Sequence, residues 1–519
     1  MTEKSILMVA AENDALPGAK VGGVGDVIRD LPIALQKKGY KVNCVIPSYG
    51  YLDRLPELES CAYISVPFGH EVKQVEIKKL AGRNGQADIY ILHHADFSPQ
   101  GESVYCHDGD DRPFATDATK FAFFSAAVAR ALLDGDIPRP EVLHCHDWHA
   151  AFLLILLRFV PQYSSLSTIR TVFSIHNLAM QGVRPFKGDA SSFEAWFPDI
   201  MGSADLRQIS DPRVPHCVNP MRAGVLIADK VHTVSPTYAE EILRASDHKE
   251  GIYGGEGLEY DLLQRHSHGN LHGILNGCEY PDTKPAKVSK AQLARMCEAA
   301  LEKWGTADLE LKSAHWLAEK RLKTWASKRK AGMLLTSVGR VTEQKVRLLI
   351  AEVSPGVTAL DAMMQALGDR GTFLMLGSGD SHLEHELVKI SARNGNFVFL
   401  NGFSLPVAET LYQIGDLFLM PSSFEPCGIS QLLAMRSGQP CLVNQVGGLK
   451  DTVVANETGF AFNGSNASVQ AQSMVEAFTG VVDLFLAKPA EYAAVGTAAE
   501  SVRFTWDSVS DEYLHELYS

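Results

Sequence analysis

Two glycine-pair loops stand near opposite ends of this 519-residue chain, Val21-Gly22-Gly23-Val24-Gly25-Asp26-Val27 and Val446-Gly447-Gly448-Leu449-Lys450-Asp451-Thr452-Val453. Before the first, Ile6 to Ala11 reads as a buried strand. After it, Val27, Ile28, Leu31, Ile33, Ala34 and Leu35 recur at helical spacing until Gly39, and Lys41 to Ile46 is the next strand. The second loop likewise follows a strand, Cys441 to Val443, and opens a helix. A strand, glycine loop and helix repeated at both ends predicts two doubly wound α/β domains, each with a ligand edge at the carboxyl ends of its parallel strands. The chain is also too long for a single hydrophobic core. The spacing in the first loop fits neither the dinucleotide fingerprint nor a P-loop. Taken alone, its glycines fit a tight turn as well as a close approach to a ligand, to which Lys20 would add a mobile cation.

Other strand ends carry polar clusters. Val142-Leu143-His144-Cys145-His146-Asp147-Trp148-His149 begins as a short strand that gives way to an apolar helix, Ala150 to Val160, and Arg170 to Ile175 runs into His176-Asn177. His144 and His146 share a strand face, which suits zinc, but no further ligand pattern accompanies them and no metal is expected. Asp147 and His176 instead fall on the shared carboxyl edge of a parallel sheet. Ala62 to Leu80 reads as a hairpin and Val225 to Val234 has strand character. Residues 287–330, rich in Ala, Leu, Lys and Glu, read as solvated helical surface.

The second domain begins with a strand at Met333 to Val338 followed by Gly339-Arg340-Val341-Thr342-Glu343-Gln344-Lys345. Arg340 and Lys345, five residues apart across a strand-to-helix loop, can close on a diphosphate, although such a pair also fits plain surface charge. Thr372 to Leu376 ends in the accessible loop Gly377-Ser378-Gly379-Asp380. Asp416 to Pro440 then runs strand, loop and helix, with Glu425 at the strand end and Cys427, Gly428 and Ser430 leading into the helix. Glu425 can face a substrate there, or it can be a solvated loop carboxylate.

Composition removes some classes of partner. A net charge of -13 argues against nucleic acid and anionic membranes. Nine cysteines without short paired spacings suit a reducing compartment, and no apolar run approaches membrane-spanning length, so a cytoplasmic protein is expected.

The segments KVGGVGDV, HCHDWHAAF, SIHNLAMQG, ADKVHTVSPTYAEEI, GILNGCE, VGRVTEQK, LGSGD, SFEPCGISQLLAM and VGGLKDTV resemble, in that order, bacterial glycogen synthases and plant starch synthases. The resemblance runs from Met8 to about Thr458 and resumes in the tail Trp506 to Tyr518. It implies a GT-B fold, two Rossmann-like domains facing across a cleft. Residues 1–272, joined by a terminal helix at 504–519, would form the acceptor side, and 273–503 the nucleotide-sugar side. The implied activity is a retaining transfer of glucose from ADP-glucose to the non-reducing-end 4-hydroxyl of an α-1,4-glucan, with no cofactor or metal. Because water must be kept from the activated sugar, domain closure is expected, hinged near Asn276 and at the crossover into the last helix. Retention would proceed through a covalent intermediate or by attack on the leaving-group face.

Residue by residue, the resemblance puts Lys20, Gly22 and Gly23 at the donor phosphates and sugar, Asp147 and His176 at the sugar, and Asn276 at the junction. It makes Arg340 and Lys345 the diphosphate clamp and Glu425 the essential acid. Tyr412 would stack on the adenine, Gly447 and Gly448 would form the second phosphate loop, and Gly377, Cys427 and Gly428 would complete donor binding. Leu433 stands where many sugar transferases with this loop carry a second Glu, in agreement with the glycogen-synthase branch, whereas the chain departs from the family pattern at Ser423, Arg222 and Val346 and across 287–330. Those departures leave open a same-fold transferase using UDP-glucose or a short oligosaccharide acceptor. A non-catalytic glucan binder is disfavoured, because a binder needs no diphosphate clamp.

Overall fold

The computed structural model describes residues 4–83, 85–202, 205–281, 288–307, 312–328 and 332–519; of the 287–330 stretch, 287, 308–311 and 329–330 lie outside these. The chain forms two compact units, Met1–Ser246 with Gly254–Gly277 and Thr505–Ser519, and Asp247–Tyr253 with Cys278–Phe504.

The first unit is built on a nine-stranded sheet. In spatial order its strands are Leu271–Gly273, Lys230–Thr233, Arg170–Ile175, Val142–His146, Ser5–Val9, Lys41–Pro47, Asp88–His93, Glu71–Leu80 and Glu59–Phe68. Neighbours are parallel as far as Asp88–His93, and the final hairpin extends the sheet antiparallel. Ser5–Val9 is the switch point, since the chain winds from it first towards Lys41–Pro47 and later returns to its other side at Val142–His146. Loops after a switch point splay apart, and here those are the Lys20 loop and the turn into Asp147. The helix Gly23–Lys37 buries Val27, Ile28, Leu31, Ala34 and Leu35 as its spacing requires.

The run Val225 to Val234 is not one strand. Pro220–Ile227 is a helix, opened by Pro220 and capped by the Asn219 side chain, which accepts from the Arg222 N–H at 2.9 Å; the strand is only Lys230–Thr233. The cap outweighs the strand preference of Val225 and Ile227, and Gly224 lies so close to the Phe173 ring that an added Cβ would overlap it.

The second unit has a six-stranded, all-parallel sheet in the order Phe397–Asn401, Gly371–Gly377, Met333–Val338, Leu417–Met420, Cys441–Asn444, Gly459–Phe462. Its switch point lies between Met333–Val338 and Leu417–Met420. Alternation divides the core: Met333, Leu335, Phe373 and Met375 pack on one face with Leu360 and Phe478, while Leu334, Leu374 and Leu376 pack on the other. That second face is covered by helices Lys290–Ala307 and Ser313–Ser327, which bury Leu293, Cys297, Leu301, Leu322 and Trp325. Solvated surface is therefore true of only one side of each helix; the apolar residues recur at three- and four-residue spacing beneath the charges.

Asp247–Tyr253, which falls inside the 1–272 segment, packs in the second unit as a small hairpin whose Asp247 and Ile252 exchange backbone hydrogen bonds of 2.9 Å. Arg347 donates to the carbonyls of His248 (3.0 Å) and Lys249 (3.2 Å), the Ala467 N–H donates to the Glu250 carbonyl (3.0 Å), and Tyr253 stacks on Phe424 at 5.2 Å between centroids. These anchors hold the hairpin where it is. Conversely, Thr505–Ser519 belongs to the first unit: the Trp506 indole N–H donates to Asp30 (3.2 Å), and Gly277 accommodates the Trp506 ring. Among the described residues, no helix is long and apolar enough to cross a membrane.

Candidate active site

In the first unit, the loop after Ser5–Val9 is organised by Glu12, a buried carboxylate that spacing arguments pass over. Its Oε2 accepts from the backbone N–H groups of Val21 (2.7 Å) and Gly22 (2.6 Å), and its Oε1 accepts from the Tyr105 hydroxyl (2.7 Å). The Lys20 ammonium is held by Asp26 (2.5 Å) and Asp14 (3.2 Å) and remains partly exposed. Gly22 and the Gly23 helix start thus sit in a loop that already receives an oxyanion, supplied by the chain itself. Glu12 was legible only as a polar residue just beyond a strand end.

Asp147 opens the helix Asp147–Phe159 with a positive φ of 56°, a conformation uncommon for a residue with a side chain. Its Oδ1 accepts from the His176 N–H (2.7 Å) and the Asn177 N–H (3.5 Å). Burial pushes its carboxyl up to about 7, against the opposing pull of those two donors. The sequence-selected pair Asp147 and His176 are therefore in direct contact. Burial draws the His176 imidazole down to about 4, and its Nε2 lies 2.9 Å from His146 Nδ1. Asn276 is buried, and its Oδ1 has no partner among the described residues. His144 and His146 stack at 4.1 Å, and no three His, Cys, Asp or Glu side chains among the described residues are grouped to hold a metal.

In the second unit Arg340 lies on the loop after Met333–Val338, Lys345 in the first turn of the helix Glu343–Ile350 that follows it, and Glu425 on the loop after the adjacent strand Leu417–Met420. Glu425 is buried, ion-paired to Lys345, and accepts from the Ser422 hydroxyl at 2.9 Å. The backbones are stitched as well: the Ser423 N–H donates to the Gln344 carbonyl (2.9 Å), and Gln344 Nε2 donates to the Phe424 carbonyl (2.7 Å). Lys345 and Glu425 thus form one charge-compensated unit. Arg340 is exposed and makes no hydrogen bond or ion pair among the described residues, leaving its planar fork to solvent. Gly377 permits the close packing of this region, since a Cβ there would overlap the Gly339 carbonyl.

Gly447 and Gly448 serve a contact that sequence did not reveal. A Cβ on Gly447 would overlap the Glu425 carbonyl, one on Gly448 would overlap the Cys427 carbonyl, and the Gly448 N–H donates to the carbonyls of Glu425 (3.1 Å) and Pro426 (3.2 Å). The pair seats the Glu425 loop, and the Gly448 N–H is engaged there rather than pointing to an external anion. Gly428 takes a φ of 78°, Cys427 is buried, and the Tyr412 hydroxyl lies 3.0 Å from Ser430 with its ring against Phe418. Ser422 and Gln344 carried no motif of their own; only their proximity to Glu425 and Lys345 in the chain marked them.

The family model for the starch synthase catalytic domain matches residues 5–264, and the model for group 1 glycosyl transferases matches residues 332–479. Glycogen synthase of Streptococcus equi subsp. equi is 32% identical over 99% of each chain, and that of Aeromonas salmonicida is 32% identical over 97% of this chain and 96% of its own. Among solved structures, the catalytic domain of starch synthase IV from Arabidopsis thaliana, bound to ADP and acarbose, superposes with a TM-score of 0.74 at 26% identity over 99% of both chains. Sucrose-phosphate synthase from Thermosynechococcus elongatus shares the fold, with a TM-score of 0.54 at 16% identity.

Proposed function

The chain belongs to the glycogen and starch synthase family of GT-B glycosyltransferases, and on that premise we propose that it moves glucose from ADP-glucose to the non-reducing-end 4-hydroxyl of an α-1,4-glucan, with retention. The observation that carries this reading is the Lys345–Glu425 pair, held with the Ser422 hydroxyl and the Gln344 side chain, with the exposed Arg340 five residues before Lys345 in the chain. A diphosphate leaving group gains negative charge as the sugar–phosphate bond stretches, and Arg340 and Lys345 are the cations suited to stabilise it. Glu425 is then the group suited to orient the glucose and to stabilise positive charge at the anomeric carbon. Asp147, His176 and Asn276 supply polar contacts to the sugar, and Lys20 with Gly22 and Gly23 contributes to phosphate binding. Tyr412, Gly377, Cys427 and Gly428 shape the nucleotide and sugar pocket, with Gly447 and Gly448 supporting Glu425 from behind.

Residues 273–503 take the donor and 1–272 with 504–519 the acceptor, in a cytoplasmic enzyme that needs no cofactor. The ADP-bound starch synthase relative favours an adenine nucleotide over a uridine one. The test is incorporation of glucose into glycogen from ADP-glucose and UDP-glucose in parallel, with EDTA present. Incorporation from ADP-glucose that is abolished in Glu425→Ala supports the reading. Preference for UDP-glucose moves the donor assignment, and full turnover in Glu425→Ala removes the role given to that carboxylate.

A further inference from the structure

Behind His176 lies a buried stack of imidazoles that the transfer reaction does not itself use. His232 Nε2 is 3.3 Å from the Ile274 carbonyl, and His232 Nδ1 is 2.7 Å from the Ser174 hydroxyl. That hydroxyl is also 2.6 Å from His144 Nε2, and His144 Nδ1 is 2.7 Å from the Tyr518 hydroxyl. His144 stacks on His146, whose Nδ1 meets His176 Nε2. Burial pulls all four imidazoles down, His176 to about 4, His232 to about 3, and His144 and His146 well below the ordinary value. Each ring is therefore neutral near pH 7 and carries one proton on one nitrogen.

One acceptor fixes the first half of the stack. A carbonyl only accepts, so His232 carries its proton on Nε2 and its bare Nδ1 accepts from the Ser174 O–H. The Ser174 oxygen must then accept from His144, which places the His144 proton on Nε2. His144 Nδ1 is bare and accepts from the Tyr518 O–H, a hydroxyl brought in by the last residues of the chain. The Tyr513 hydroxyl lies nearly equidistant from the two His232 nitrogens, 3.3 Å from Nε2 and 3.4 Å from Nδ1, so it is directed along neither lone pair, and being able to donate or accept it leaves this order unchanged.

A different observation fixes the second half. His146 Nε2 is buried and has no partner among the described residues. An orphaned N–H is rarer and costlier than an orphaned lone pair, so the His146 proton belongs on Nδ1, where it donates to His176 Nε2. His176 must then hold its own proton on Nδ1, the nitrogen with no protein partner among the described residues.

We infer that His146 is a positioning residue that locks His176 as a neutral Nδ1–H donor, so that the ligand group against His176 has to accept a hydrogen bond from it. The inference rests on the proposed function only in taking that group to be a sugar hydroxyl oxygen. A locked donor selects a hydroxyl whose own proton points elsewhere, and so fixes the rotamer of that hydroxyl as well as its position.

The test is long-range 1H–15N correlation on the full-length protein, labelled at histidine nitrogens, at pH 7, with rings assigned from single substitutions. The expected pattern is Nε2–H for His144 and His232, and Nδ1–H for His146 and His176. His176 found as Nε2–H, or charged, overturns the inference without any appeal to activity. The His146→Asn variant, whose amide can donate from nearly the same place, should keep His176 as Nδ1–H and hold kcat/KM within about threefold of wild type. In His146→Leu, His176 should become a mixture of tautomers and kcat/KM should fall at least tenfold; an unchanged His176 spectrum in a folded His146→Leu protein also overturns the inference. Wild-type protein with the expected tautomers but no transfer from either nucleotide sugar would remove the functional reading and leave the role of His146 standing.

Discussion

The Lys345–Glu425 pair shows how charge is handled in this protein residue by residue. Glu425 is nearly inaccessible and Lys345 about a quarter exposed, at 8% and 24% of their side-chain surfaces. Removing the cation alone strands a buried carboxylate. Breaking a fully buried pair costs roughly 3–5 kcal/mol, and the partial exposure of Lys345 lowers that figure. Lys345→Met is therefore expected to unfold at lower denaturant concentration than wild type, and Lys345→Met with Glu425→Gln to recover most of the loss while remaining inactive. Chemical denaturation of the three proteins checks this, and a double variant no more stable than the single one contradicts it. Asp147 makes a pH-dependent contribution. Its folded-state pKa, about 7, lies above the unfolded value of 3.8, so its contribution is fully present below pH 3.8 and is lost as pH rises through 7. His176, drawn down to about 4, acts in the opposite sense, with stability present above its ordinary value and lost as pH falls through 4. Three pH units on one buried group amount to about 4 kcal/mol. Asp147→Asn should thus gain thermal stability relative to wild type as pH is raised from 4 to 7, which paired melting curves would show.

Short connections between elements carry more of the site than the helices and strands do. The hairpin Asp247–Tyr253 is held by backbone contacts to Arg347 and Ala467, and its Tyr253 ring stacks on Phe424, the residue before Glu425. An aromatic pair of this kind contributes about 0.5–1.5 kcal/mol beyond its buried area. Tyr253→Leu should leave the global melting temperature nearly unchanged while hydrogen exchange at Ser423 to Cys427 accelerates by up to about tenfold; unchanged exchange there would separate the hairpin from the Glu425 loop. The glycine pair at 447–448 acts on the same loop from its other side. It was legible as a close approach of backbone to something, but the something is the Glu425–Cys427 main chain. Sequence periodicity reports which face of a helix is apolar and cannot report which loop a glycine must touch. The capped helix Pro220–Ile227 makes a similar point, because β-branched composition suggested a strand and the Asn219 cap with Pro220 after it decided otherwise.

The chain changes unit at several places, and the last change supports the interior of the first unit. Trp506, Tyr513 and Tyr518 are buried there, and Tyr518 terminates the imidazole stack at His144. Removing residues 505–519 leaves those cavities open and a buried nitrogen unpaired, a combination expected to cost several kcal/mol. A chain ending at Phe504 should therefore lose the calorimetric transition of the first unit while that of the second persists; two intact transitions would contradict the structural part given to the tail. The sequence alone determined the two doubly wound sheets, the strand ends on which Lys20, Asp147, His176, Arg340 and Glu425 lie, and the family, because all of these follow from local periodicity and the order of short segments. Tertiary structure alone decided that Glu12 accepts from the Gly22 loop, that Lys345 pairs with Glu425, that residues 247–253 pack in the second unit, and that His232, His144, His146 and His176 meet in the interior of the first unit. The first is a contact within a single loop that no periodicity marks; the others are contacts between residues distant in the chain, set by how strands align across a sheet and which side chains the interior leaves unpartnered, and neither quantity is encoded in any single window of sequence.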